Sequence, residues 1–146
     1  MSRMLVALLC ALSLAASAAE QAGVVKIAKG VVTIERSGAQ SSATPGARVH
    51  SGDRIVTGPD GQVGITLRDN TLLSAGPNST LVLDDFAFDS TTHGGTLQAS
   101  VQRGTVAVVS GKIVKQSPGA MRVRTPASVM GVRGTEFLVQ VTAPAD

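Results

Sequence analysis

The sequence predicts an all-β protein: a single compact domain of short strands, sandwich-like or stacked as a short solenoid, with no substantial helix after its first nineteen residues. Three observations carry this reading. Apolar and polar residues alternate at period two in several stretches, which puts one apolar set on a common sheet face. Turn residues separate those stretches at short spacing. No stretch of ordinary helix length combines a cap with a 3.6-residue apolar stripe.

Taken in order, residues 1–19 read as a secretory leader. Arg3 is the only charge before Glu20, Leu5 to Ala16 form a short apolar run, and Ala16-Ser17-Ala18 or the following Ala19 suits a small-residue cleavage site. Val24 to Ala28 and Val31 to Glu35 are the first strand candidates. Ala39 to Ala47, small and polar around Pro45, reads as a loop or crossover. Arg54 to Thr57 follows, then Val63, Ile65 and Leu67 in alternation, Thr71 to Ala75, and Leu81 to Leu83. Leu97, Ala99 and Val101 alternate. The same stretch to Arg103 is the one candidate helix, and Gly104 ahead of Thr105 to Val109 ends it. Met121 to Thr125 and Phe137, Val139 and Val141 complete the set. Gly58-Pro59-Asp60-Gly61, Asp69-Asn70, Gly76-Pro77-Asn78, His93-Gly94-Gly95 and Ser117-Pro118-Gly119 supply the turns, through the fixed φ of Pro and the tolerance of Gly and Asn for positive φ.

Composition removes whole classes of function. The 146 residues hold three Phe, no Trp and no Tyr, so no aromatic platform for bases or sugars exists. One Cys excludes a disulfide framework, and with two His it cannot build a zinc site. That cysteine, Cys10, lies in the leader, and leader removal lowers the net charge of +3 by one through Arg3. The remaining cations are scattered, with no run and no interleaved aromatics, so nucleic acid is not an expected partner. No later apolar run is long enough for a membrane span. Gly131 to Thr135 lacks the Lys-Ser/Thr end of a phosphate loop, no Gly-x-Ser-x-Gly elbow occurs, and His50 and His93 read as solvated. No catalytic residues, cofactor or metal ligands are assigned. Asp84, Asp85 and Asp89 form the one carboxylate cluster, read either as a charged strand end or as a loose calcium site. Phe86 and Phe88, two apart, are expected on one face as core.

Three segments together resemble the FecR-like domain family of exported bacterial proteins, over roughly residues 25–142. They are Val49 to Gly58, with Gly52-Asp53 and Thr57-Gly58; Gly61 through Asp69-Asn70 to Gly76-Pro77-Asn78-Ser79; and Arg124-Thr125-Pro126-Ala127 to Gly131-Val132-Arg133-Gly134-Thr135-Glu136-Phe137. Gly104-Thr105-Val106 with Ser110 to Lys115 fits the strand pair expected between the second and third. The signature residues Gly52, Asp53, Thr57, Gly58, Thr125, Pro126, Gly131, Arg133, Gly134 and Thr135 read as structural. Asp53 accepts turn amides, Pro126 belongs at a strand edge or start, and Gly131 and Gly134 permit a bend or bulge. Arg133 is expected to fold back on Asp53 or Glu136.

The best-known members of that family are membrane-spanning regulators in which the exported domain senses an outer-membrane receptor and a cytoplasmic segment controls a sigma factor. Neither the cytoplasmic segment nor the membrane helix is read here, so that regulatory role is not carried over. The resemblance implies a non-enzymatic, exported domain, periplasmic or secreted, that contacts another envelope protein in interaction or sensing. The alternative is a small-ligand or calcium-binding periplasmic protein. A sheet edge is the expected interface, and the lack of aromatic anchors predicts one led by backbone contacts.

Overall fold

The computed structural model describes residues 21–134 and 136–142. The strands are β1 (Gln21–Lys29), β2 (Val32–Arg36), β3 (Ala39–Ser42), β4 (Arg48–His50), β5 (Arg54–Thr57), β6 (Gln62–Leu67), β7 (Leu72–Ala75), β8 (Thr80–Phe88) and β9 (Gly95–Val109). One short helix, α1 (Lys112–Gln116), precedes β10 (Met121–Arg124), β11 (Val129–Gly131) and β12 (Glu136–Val141). The predicted all-β class is the observed one: a 12-stranded sheet curled into a half-barrel. Residues 1–19, expected to be a leader, lie outside the described residues.

Strand β9 organises the sheet. One half of the fold runs β4-β1-β6-β7-β9-β12 and the other β3-β2-β5-β8-β9-β10-β11, so β9 belongs to both. All pairings are antiparallel except β9 with β10. On one side of β9, β10 pairs with Leu97 to Ser100 and β12 with Gly104 to Val109. Covalent reach shows that β9 must bend. Gly131 lies in register with Arg122, which pairs with Gln98, and Glu136 pairs with Val109. In a flat sheet those levels would lie roughly 36 Å apart. The chain from Gly131 to Glu136 spans at most about 18 Å.

The bend falls at Gly104, whose φ is +85°. A Cβ there would sit 2.5 Å from Ser79 Cα, so only glycine fits. Folding β9 over brings the inner faces of the two halves onto one core. Ile65, Leu67, Leu73 and Val108 come from one half, and Ile55, Leu81, Leu83, Phe86 and Leu97 from the other. Each such large side chain contributes about 1.5–3 kcal/mol by burial. Phe86 is core as expected, while Phe88 is partly buried and stacks on His93 with centroids 6.2 Å apart.

Four expectations are corrected. Residues 39–42 are a strand, because Ser37 (φ 51°) and Gly38 (φ 80°) form a two-residue turn with both central φ positive, which makes a tight hairpin of β2 and β3. This strand has no apolar alternation to read, since every side chain on it is exposed. Leu97–Val101 and Thr105–Val109 are one strand, bent rather than broken at Gly104. Lys112 to Lys115 is helical rather than extended. The amides of Gly111, Lys112 and Ile113 are taken by Thr71 Oγ1, the Asp69 carbonyl and Asp69 Oδ2, at 3.1, 2.7 and 3.3 Å, which curls the backbone away from the sheet. Pro126 sits in the turn between β10 and β11 rather than at a strand edge.

Candidate functional site

Asp53 is completely buried in the turn between β4 and β5. Its Oδ1 accepts from Arg36 Nε at 2.7 Å, and its Oδ2 accepts from Arg36 Nη2 at 2.7 Å and from the His50 amide at 2.8 Å. Its carbonyl accepts the Leu83 amide at 2.9 Å, and the Gly52 amide donates to the Leu83 carbonyl at 2.6 Å. Gly52 reaches this geometry at φ +88°. The Gly52-Asp53 pair therefore ties its turn to β8 and, through Arg36, to the end of β2. Hydrogen bonding to Asp53 holds the Arg36 guanidinium above its ordinary pKa, against a smaller desolvation effect. The expected partner of Asp53 was Arg133. Arg36 takes that place because the β2–β3 hairpin delivers it there, and Arg133 pairs with neither Asp53 nor Glu136 among the described residues.

Thr57 and Ser79 close the corner where the chain passes from β7 to β8, opposite the bend in β9. Thr57 Oγ1 donates to the Gly76 carbonyl at 2.6 Å and accepts the Ser79 amide at 2.8 Å. Ser79 Oγ lies 3.2 Å from the Thr105 carbonyl and accepts the Thr105 amide at 3.0 Å. The Gly58 amide reaches the Val31 carbonyl at 2.9 Å. Thr57, Gly58 and Ser79, from two separate sequence segments, are one corner bracket.

The third segment behaves differently. Thr125 and Ser128 close the β10–β11 turn around Pro126, with the Thr125 amide donating to the Ser128 carbonyl at 2.8 Å and the Ser128 amide to Thr125 Oγ1 at 3.1 Å. Gly131 and Gly134 have ordinary φ, and a Cβ on either would meet nothing within 4 Å. The expected requirement for glycine at these two positions is therefore absent. Arg133 is exposed and lines a cavity with Lys115. Thr135 lies outside the described residues.

The acidic cluster does not assemble. Asp84 accepts a hydrogen bond from the Ser100 hydroxyl. Asp89 Oδ1 caps its own loop, accepting the amides of Thr91 and Thr92 at 2.8 and 3.2 Å. Asp84 and Asp85 both face outward because the β8–β9 register shifts between Leu83 and Asp85. Among the described residues, no three His, Cys, Asp or Glu side chains come together as a metal site requires. A second organised carboxylate, besides Asp53, is Asp69, which the sequence showed only as a turn residue. It is fully buried, accepting from Thr71 and from the Ile113 amide. His50 is half-buried rather than solvated, and its Nδ1 has no partner.

Among the described residues, four strands pair on one side only: β3, β4, β11 and β12. β11 pairs only with β10, and β12 only with β9. Beside these free edges Val129, Met130 and Leu138 are 59%, 38% and 63% exposed. Pro126, Met130, Leu138 and Val141 help to line a cleft of about 820 Å³, and no described residue in its walls is charged. It lies between the β10–β11 turn and the end of β12, beside Gln102 of β9.

The FecR protein family model matches residues 53–145, well over half of the sequence. The chain belongs to the FecR family. This is a family of signalling and regulatory proteins, which gives the chain a sensing or regulatory role at the cell envelope. No curated protein and no solved structure matches the chain. The FecR match begins at Asp53, yet the partner of Asp53 lies upstream in β2. Among the described residues, no helix is long and apolar enough to cross a membrane. The FecR-like signature thus divides in two: positions 52–79 hold corners, whereas the fold has no need of glycine at Gly131 and Gly134, and no described residue pairs with the Arg133 side chain.

Proposed function

We propose that this chain is an exported, non-catalytic FecR-family domain that works by contact with another envelope protein, received at the free β11 and β12 edges. One observation carries the reading: two unpaired strand edges flank an uncharged cleft, with Val129, Met130 and Leu138 exposed beside it. An edge offers unpaired amides and carbonyls, so an extended partner segment completes the ladder while apolar side chains on it fill the cleft. The lack of Trp and Tyr fits an interface whose affinity comes from main-chain hydrogen bonds rather than aromatic anchors. Export is supported by the leader-like residues 1–19.

Photo-crosslinking in intact cells tests this. A crosslinking residue at Leu138 or Val129 should trap one envelope protein, while the same residue at Gln40, on strand β3 at the other end of that half of the sheet, should not. Adducts from Gln40 alone, or none from either edge, would overturn the reading. Cell fractionation with mass measurement of the mature N-terminus checks export, with cleavage after Ala18 or Ala19 the expected result.

A further inference from the structure

A second surface feature stands apart from the strand edges. Between α1 and the connection from β11 to β12 lies a cavity of about 240 Å³, lined by Ser110, Val114, Lys115, Pro118, Arg133 and Gly134. Lys115 and Arg133, from different elements, both line it, and among the described residues no carboxylate does. Arg133 makes no hydrogen bond or ion pair with any described residue, and the carboxylate of Asp53 is held by Arg36. Two like charges brought to one cavity repel each other unless an anion lies between them. The fold therefore places positive charge here without using it.

From this arrangement we infer an anion site: the cavity receives a carboxylate carried on a short apolar stem. Arg133 supplies the planar fork that matches a carboxylate, and Lys115 supplies a second, point-like charge. Val114 and Pro118 give the stem an apolar floor. A singly charged head fits better than a phosphate, because the site offers few further donors. The Ser110 hydroxyl already donates to the Gly134 carbonyl at 2.7 Å. The volume has room for about eight waters, which suits one acidic side chain or one short-chain acid. The absence of a conformational need for Gly134, with open space around it, leaves the approach to Arg133 clear.

Such a carboxylate has two sources: a free short-chain acid, or an acidic side chain of a peptide. Titration of the isotopically labelled protein, followed by its amide signals in NMR, separates them. One arm uses hexanoate. The other uses a tetrapeptide whose only charge is a single Glu, with blocked termini, and its Gln counterpart as control. The expected result is saturable movement of the signals of residues 110–117 and 132–134 by at least one of the two acids and not by the Gln peptide. Hexanoate acting alone identifies a small acid, and the Glu peptide binding tenfold or more tightly identifies an acidic peptide. Arg133→Gln should weaken binding at least tenfold, and Arg133→Lys should not restore it, since the fork is lost. Arg133 is exposed, so both variants should keep the thermal midpoint of the parent. No response to either acid, or equal binding by Arg133→Gln, would overturn the site. The strand-edge reading is independent and survives that outcome.

Discussion

Arg36 grips Asp53 with two parallel hydrogen bonds of 2.7 Å each, joining the end of a hairpin to a buried turn 17 residues further on. The two ends of this pair are unequal, since Arg36 is 46% exposed and Asp53 is sealed. Removing either partner has different consequences.

Asp53→Ala releases Arg36 to solvent but orphans the His50 amide and empties a packed turn, at a cost of about 3 kcal/mol. Arg36→Lys should recover little of the loss in Arg36→Ala, because an ammonium cannot bridge both carboxylate oxygens. Urea unfolding measures both. The raised Arg36 pKa stabilises the fold at every pH below the ordinary guanidinium value, and this is lost only as pH rises through the still higher folded value. Between roughly pH 6 and 9 the difference between parent and Arg36→Ala should therefore stay constant. A stability difference that changes across that range would contradict this pairing.

Gly104→Ala should be the most damaging glycine substitution. Its positive φ and its approach to Ser79 both oppose a side chain, and the bend in β9 depends on it. A loss of about 3 kcal/mol or outright failure to fold is expected. Gly131→Ala and Gly134→Ala should each stay within about 0.5 kcal/mol of the parent. Comparable losses at all three positions would refute the assignment of the bend.

Thr57→Val keeps the shape of the side chain and deletes the corner hydroxyl. The Ser79 amide and Gly76 carbonyl then lose their partner, at about 2 kcal/mol, whereas Thr57→Ser should keep most of the stability. Equal denaturation midpoints for Thr57→Val and Thr57→Ser would show that the hydroxyl is not the bracket.

Calcium should leave the protein unaffected. With Asp84 engaged by Ser100 and Asp89 capping its own loop, millimolar calcium should move the thermal midpoint by less than ~1 °C. A concentration-dependent rise that disappears in Asp89→Asn would reinstate the cluster as an ion site.

The fold was legible where burial imposes period two. Val63, Ile65 and Leu67 face the core as their alternation implies, because β6 has one solvated face. β3 was not legible, since its pairing comes from a turn at Ser37-Gly38 and not from its own side chains. α1 was equally hidden, because buried Asp69, more than forty residues earlier, captures the Ile113 amide. Of the signature, the roles of Gly52-Asp53 were readable as turn chemistry. The partner of Asp53 was not, because Arg36 and Arg133 carry the same charge and composition does not distinguish them.

Local chemistry therefore settled the class of the fold and most of its turns, since alternation and positive-φ turns act over a few residues, and the family came from the resemblance of three segments. Long-range contacts settled the rest. Which arginine meets Asp53, where β9 bends, which edges stay open and why Arg133 and Lys115 share a cavity all depend on segments far apart in the chain. Their meeting is decided by how one core closes, and no local pattern encodes that.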